Sequence, residues 1–217
     1  MTEITANNET ATSKRLSQGL FNPFMFVAGF KALLLGLAII LISAFIGSLS
    51  NTHFDGILDV HTGAESPLWF FFAEGVIDWL CIVVPLFFFG LIVSRSSFRI
   101  IDVLGTQALA RWPYLIAALV MLPDANRRIG VYIMSRLTQT TSPAAIDYID
   151  MSIFAFAMIL TVLMAVWMVA LMYKAYCVSC NIKGPKAIAT FIASLIGAEV
   201  LSKFAILSLA DCVKVLP

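Results

Sequence analysis

Five runs of apolar residues separated by polar connections set the reading of this chain: Phe24–Leu49, Leu68–Val93, Gly105–Leu122, Ile153–Tyr173 and Ala187–Ala210. They are apolar nearly all round, which a helix resting on a soluble core is not. A helix rises ~1.5 Å per residue, so ~20 residues cross a ~30 Å hydrocarbon layer, and four of the runs reach that length. The pattern predicts an all-α fold, a polytopic transmembrane helical bundle of five spans. A polar, disordered tail over 1–22 precedes one bundle over 23–217.

Connections and breakers refine the picture. Pro23 marks the start of the first span, where a helix tolerates proline, and Pro85 interrupts the second, where it should bend the helix or free a carbonyl. Ala28, Ala32 and Gly36 repeat every four residues, as do Ala189, Ala193 and Gly197. Such stripes let helices approach closely in lipid. In the long third connection Ile129, Ile133 and Leu137 fall at i, i+4, i+8 beside Arg127, Arg128 and Arg136, the pattern of a short amphipathic helix at the interface.

Composition narrows the class further. Hydrophobic residues are 60% of the chain and charged residues 12%, which leaves no room for a separate soluble domain. A net charge of +1 gives no argument for nucleic acid. The first run is too long for a cleaved signal and reads as an anchor. The positive-inside rule puts Lys14 and Arg15 in the cytoplasm and the first connection, free of Lys and Arg, outside. Five spans then leave Arg127, Arg128 and Arg136 outside. A four-span alternative, with Gly105–Leu122 dipping in without crossing, fits the bare count slightly better. Five spans are preferred because Arg111 can snorkel to the inner edge. The localisation expected is a bacterial inner membrane, N-terminus cytoplasmic.

Ionisable groups in a bilayer cost about 2.5–3.5 kcal/mol each on insertion scales, so each needs a partner or a purpose. Glu74 and Asp78 in the second span, and Glu199 and Lys203 in the last, are each spaced i, i+4 on one helix face. Five spans place Glu74 and Lys203 ~10 Å deep and Asp78 and Glu199 ~16 Å deep, all in the outer half. This intramembrane polar cluster is either a lock between two helices or a proton or cation site. At least one of Asp78 and Glu199 is expected to be neutral at pH 7, because like charges in a low dielectric disfavour ionisation.

The first connection holds a near-mirror pair, His53-x-Asp55 and Asp59-x-His61, whose imidazoles and carboxylates suit Zn²⁺ or Mn²⁺. Cys177 and Cys180 form one C-x-x-C; with no second pair and no nearby histidine it reads as packing. Cys81 lies in a span and Cys212 beyond the last. The basic residues Arg95, Arg99, Lys174, Lys183 and Lys186 flank the inner ends, as topology determinants or as contacts for lipid headgroups. No nucleophile elbow, phosphate loop or H-E-x-x-H occurs, and no inverted repeat.

Three features are similar to the Yip (Rab-GTPase-interacting) domain family of membrane proteins. The first is a polar tail leading into five spans with a short end. The second is Asp102-Val103-Leu104-Gly105 followed by Arg111-Trp112-Pro113-Tyr114. The third is Trp167, Tyr173-Lys174-Ala175 and Lys183-Gly184-Pro185-Lys186-Ala187. The resemblance implies a five-span fold; the family's eukaryotic members are implicated in vesicle traffic and bind Rab GTPases or partner membrane proteins. The chain lacks the family's Asp-Leu-Tyr-Gly-Pro element before the first span, so it resembles a prokaryotic-type member, and no functional residue is carried over. The expectation is therefore a non-enzymatic membrane-organising or interaction protein with no cofactor, whose partners are the lipid bilayer, itself or other membrane proteins. The alternative is an ion or small-solute permeation protein built on the carboxylate/lysine cluster.

Overall fold

The computed structural model describes residues 19–63, 65–137 and 146–215. Most of the tail expected over 1–22, with Lys14 and Arg15, lies outside these residues. A 3-10 turn at Pro23–Met25 leads into α1 (Gly29–Leu49), a hairpin of β1 (Thr52–His53) and β2 (His61–Thr62), and α2 (Leu68–Val93). Then come α3 (Ile100–Leu109), α4 (Pro113–Met121), α5 (Asp124–Leu137), α6 (Tyr148–Ser179) and α7 (Pro185–Val215). Five helical segments are long and apolar enough to cross a membrane, α3 and α4 together making the third. The architecture is the five-span bundle of an integral membrane protein.

The helices alternate between two ends. At one, Lys174 Nζ donates to the Phe21 carbonyl at 2.9 Å and Asn181 Nδ2 to Ser96 Oγ at 3.2 Å. Arg95, Arg99, Lys174, Lys183 and Lys186 all gather there; it is the basic end. At the other, the hairpin folds over the helix tips as a cap. The third span runs the whole way: Asp102 lies beside Gly29, whereas Tyr114 touches the cap. A dip without crossing, the four-span alternative, does not describe it.

This third span, Ile100–Met121, is the least apolar of the five and the most enclosed, with 67% of its most apolar stretch buried against 33% or less elsewhere. The reason is solvation. Polar side chains facing lipid have no water to bond, so the helix that carries them must be surrounded by protein. Gln107 Nε2 donates to the Met172 carbonyl at 3.0 Å, and the hydroxyls of Thr106 and Ser179 meet at 2.7 Å. Trp79 Nε1 donates to the Leu104 carbonyl at 3.1 Å. These bonds tie α3 to α6 and α2.

Between α3 and α4 the helix breaks at residues 110–112. Pro113 has no N–H and its ring excludes the carbonyl four residues back, that of Leu109. Trp112 N–H takes that carbonyl instead at 3.2 Å, and Arg111 N–H bonds Ala108 O at 3.2 Å. These tighter i→i−3 bonds carry the chain through the break and turn Arg111 inward. By contrast α2 runs unbroken through Pro85.

The two small-residue stripes have opposite fates. Ala32 and Gly36 are buried against α3; a Cβ on Gly36 would lie 2.5 Å from the Ala108 carbonyl carbon, and one on Gly105 2.5 Å from the Gly29 carbonyl oxygen. Ala28 is exposed at the start of α1. Ala189 and Ala193 face outward, and a Cβ on Gly197 would meet nothing within 4 Å. The amphipathic helix forms as expected, but it buries Ala125, Asn126 and Ile129, while Ile133 and Leu137 are exposed.

The C-x-x-C closes α6. Asn181 adopts φ +51°, Ile182 N–H bonds Cys177 O at 3.1 Å and Asn181 N–H bonds Val178 O at 3.4 Å, the double bond of a Schellman cap. Burial, and then the neighbouring Cys177, push the Cys180 thiol up to about 12, which suits packing and not redox work.

Gly36→Leu is expected to lower stability by about 3 kcal/mol, the upper end for overpacking. Gly197→Leu should stay within about 0.5 kcal/mol, as surface changes do. Denaturant titration of the purified protein in detergent compares them.

Candidate functional site: a buried Asp78–Arg111 pair beneath a polar cap

The cap is built by the near-mirror sequence itself. Thr52 pairs with Thr62 and His53 with His61 across the hairpin, so the reflection His-x-Asp/Asp-x-His is the reflection of two strands about residue 57. Asn51, at φ +51°, turns the chain out of α1, and Phe54 and Ile57 point down into the bundle, both buried. Tyr114 Oη donates to the Ile57 carbonyl at 2.7 Å, and its ring lies 5.0 Å from that of Phe54.

Three of the four clustered residues reach up to this cap. Glu74 is buried and its Oε1 stands 2.8 Å from His53 Nδ1, while the His53 ring stacks on Phe71 at 4.5 Å. Glu199 Oε2 accepts from Leu58 N–H at 3.0 Å, an approach that needs Gly56, since a Cβ there would lie 2.5 Å from Glu199 Oε1. Lys203 Nζ bonds Asp59 Oδ2. The expected cluster thus does gather between α2 and α7, but its members engage the loop more than one another.

Asp78 goes elsewhere. It is 0% exposed, and the cation nearest to it in the described structure is Arg111, whose Nη1 lies 4.0 Å from Asp78 Oδ2. Arg111 is 3% exposed, which corrects the expectation that it snorkels to the inner edge. The span begins at Ile100, five residues before the expected start, so eleven residues place Arg111 ~16 Å along it, near the middle. The buried Ser202 hydroxyl faces Asp78 from α7 without a close hydrogen bond, and Arg111 Nε and Nη2 and Ser43 Oγ have no hydrogen-bond partner among the described residues. A cavity of about 20 Å³ adjoins Arg111 and Ser43, lined also by Phe54, Phe71 and Tyr114 among others. That is room for about one water molecule.

The proposed metal ligands divide. Asp55, Asp59 and His61 bring one ligand atom each within 4.8 Å of one another, whereas His53 turns inward to Glu74. A divalent cation on the three would compete with the Lys203 ammonium for Asp59. Burial alone would raise Asp55, but its bond to His61 and the charges of His61, Lys203 and His53 outweigh it and hold it below its ordinary range. The bond to Asp55 raises His61 against the opposing effect of burial, helped by the charges of Asp55, Asp59 and Glu74. The basic residues gather at the end opposite the cap: Arg99 is held by Asp102 at 3.0 and 3.1 Å, and Arg95, Lys183 and Lys186 are exposed.

Comparison with known proteins found no matching family model, no matching curated protein and no matching solved structure.

Arg111→Ala is expected to destabilise by about 3–5 kcal/mol, because it leaves Asp78 buried without its cation. Asp78→Leu/Arg111→Met together should recover most of that loss; thermal unfolding of the purified variants measures both. The His61–Asp55 link has its own pH signature. A raised histidine contributes fully below its ordinary 6.5 and loses the contribution as pH rises through its higher folded value. A lowered aspartate contributes above its ordinary 3.8 and loses it as pH falls through its lower folded value. NMR titration should therefore find His61 titrating above 6.5, and Asp55→Asn should return it toward that value.

Proposed function

We propose that this chain is a non-enzymatic integral membrane protein, similar in outline to the Yip family, that organises membrane or protein complexes through helix packing and partner contacts. The observation that carries the reading is how the charged side chains of the cap end are used. Glu74, Glu199 and Lys203 are engaged by the protein's own loop, and the space beside Arg111 admits about one water. A solute has no room there. The outward face of α7, with Ala189, Ala193 and Gly197, supports partner contact because small residues permit close helix approach in lipid.

The basic end faces the cytoplasm of a bacterial cell in this reading. Arg95, Arg99, Lys174, Lys183 and Lys186 then meet anionic lipid headgroups, each attracted by about 1 kcal/mol. Among the described residues, Asp102 is the acid that accompanies them at that end, held by Arg99. Permeation of an ion is the second reading, favoured by the open hydrogen-bonding positions of Arg111 beside Asp78.

In reconstituted vesicles the protein should be inert in ion and small-solute flux. In cells, cross-linking should capture a membrane partner or a second copy, and Gly197→Leu should abolish that capture while leaving the fold intact. Flux that Asp78→Asn abolishes would decide for permeation. Impermeant thiol reagents should label a cysteine placed at Ser97 from the cytoplasmic side and one at Glu65 from the opposite side.

A further inference from the structure

The amphipathic helix α5 leaves part of its apolar face unused by the core. Ile129 is buried, but Ile133 and Leu137, one and two turns further on, are 44% and 74% exposed. With Met121 at the end of α4, and Phe154 and Met158 of α6, they line a groove of about 220 Å³. The hairpin walls one side of it. Thr62 approaches α5 so closely that a Cβ on Gly130 would lie 2.3 Å from its hydroxyl oxygen. Among the described lining residues, His61 and Thr62 carry the polar side chains; the others are apolar.

The level of the groove follows from the helices beside it. Trp112 and Trp167 meet with ring centroids 4.5 Å apart, next to Arg111 near the middle of the bundle. Met121 and Met158 each stand nine residues nearer the cap, ~14 Å from that contact at ~1.5 Å per residue. Half of a ~30 Å hydrocarbon layer is ~15 Å, so the two methionines mark its edge. Phe154, one turn further along α6, rises above it. An apolar groove across this boundary would otherwise meet headgroups and water, and an acyl chain reaching up from the leaflet covers it. At ~30 Å³ for each water-sized group, 220 Å³ takes about seven methylenes. Met121, Met134 and Met158 are unbranched and adaptable, which suits a flexible chain.

Charge at the same end completes the fit. Arg127 and Arg128 are paired with Asp124 and Asp150, at 3.7 and 2.6 Å. Arg136, in the last turn of α5 beside Leu137, has no carboxylate partner among the described residues. Its Nε and Nη2 donate to Tyr132 Oη at 3.2 and 3.0 Å, which leaves the Nη1 donors for a ligand. We propose that the groove holds one acyl chain of an anionic phospholipid from the cap-side leaflet, with its phosphate on Arg136. This site lies at the opposite end of the bundle from the basic residues and does not depend on the partner-binding reading.

The test uses the full chain in phosphatidylcholine nanodiscs. They carry a trace of phosphatidylglycerol with a photoreactive diazirine in one acyl chain, and mass spectrometry locates the adducts. Met121 and Met158 should be labelled above Phe204 and Leu207, which are exposed at the cap-side end of α7. The phosphatidylglycerol probe should label them about fivefold more than a matching phosphatidylcholine probe, the preference one arginine gives an anionic headgroup. Arg136→Gln should remove that preference and Arg136→Lys should keep it. Ile133→Glu should cut groove labelling by about tenfold or more, because an unpaired carboxylate has no partner in an apolar groove. If Ile133→Glu fails to fold, Met158→Trp, which fills the groove, should cut the labelling of Met121 in the same direction. Labelling no higher than at Phe204 and Leu207 would mark ordinary surrounding lipid, and none at all would mean that protein closes the groove. Either result, or equal labelling by the two probes, would overturn the proposal.

Discussion

Hydrocarbon offers no hydrogen bonds, and that constraint orders the bundle from the inside out. A helix carrying Thr106, Gln107 and Arg111 cannot face lipid, so the least apolar span is the one the others surround. Its glycine and alanine faces make this possible. Gly105 and Ala108 let α1 approach until a single added carbon on Gly36 would strike backbone. Close approach brings carbonyls such as those of Met172 and Leu104 within reach of buried donors. Polarity and small side chains on one span are two aspects of the same requirement.

The break in that span then fixes the chemistry. Proline at position 113 forces a tighter turn, and the residue it turns inward is an arginine. A buried guanidinium needs an anion, and Asp78, one helix away, is the acid that the cap does not bind. Glu74 and Glu199 are spoken for by His53 and by the Leu58 amide. The distribution of partners follows from geometry: residues near the tip of α2 or α7 meet the hairpin, and the one a turn deeper meets the break.

Much of this was legible in the sequence. Long apolar runs define spans because length and hydrophobicity are intrinsic to a segment, and Leu68–Val93 is found with the same bounds in the structure. The third span was read five residues short because Asp102 and the polar pair Thr106–Gln107 look like a connection. Arg111 then seemed close to an edge. Its pairing with Asp78 depends on a break that Pro113 hinted at but did not locate. The mirror about residue 57 is visible in the sequence, yet two-residue strands are too short to give an alternating pattern, so the symmetry shows as a ligand set and not as a hairpin; the structure has the hairpin and still brings Asp55, Asp59 and His61 within 4.8 Å of one another. The stripes at Ala32–Gly36 and Ala189–Gly197 are identical as patterns. Which one faces protein depends on the neighbours, and no single helix encodes them.

The cap and the centre therefore differ in kind. In the cap, the Lys203–Asp59, Leu58–Glu199, Tyr114–Ile57 and His53–Glu74 contacts join loop to helices at four separate points. Losing one leaves the others to hold the hairpin in register. At the centre a single pair of opposite charges stands 4.0 Å apart, with the Ser202 hydroxyl facing Asp78 and open hydrogen-bonding positions on Arg111. A rigid rim with a loosely satisfied core lets the core change its protonation or hydration without moving the helices. The reverse, a tight core under a loose loop, would make any such change a change of fold. Where the polar groups are bonded, the molecule is framework; where they are left open, it has room to respond.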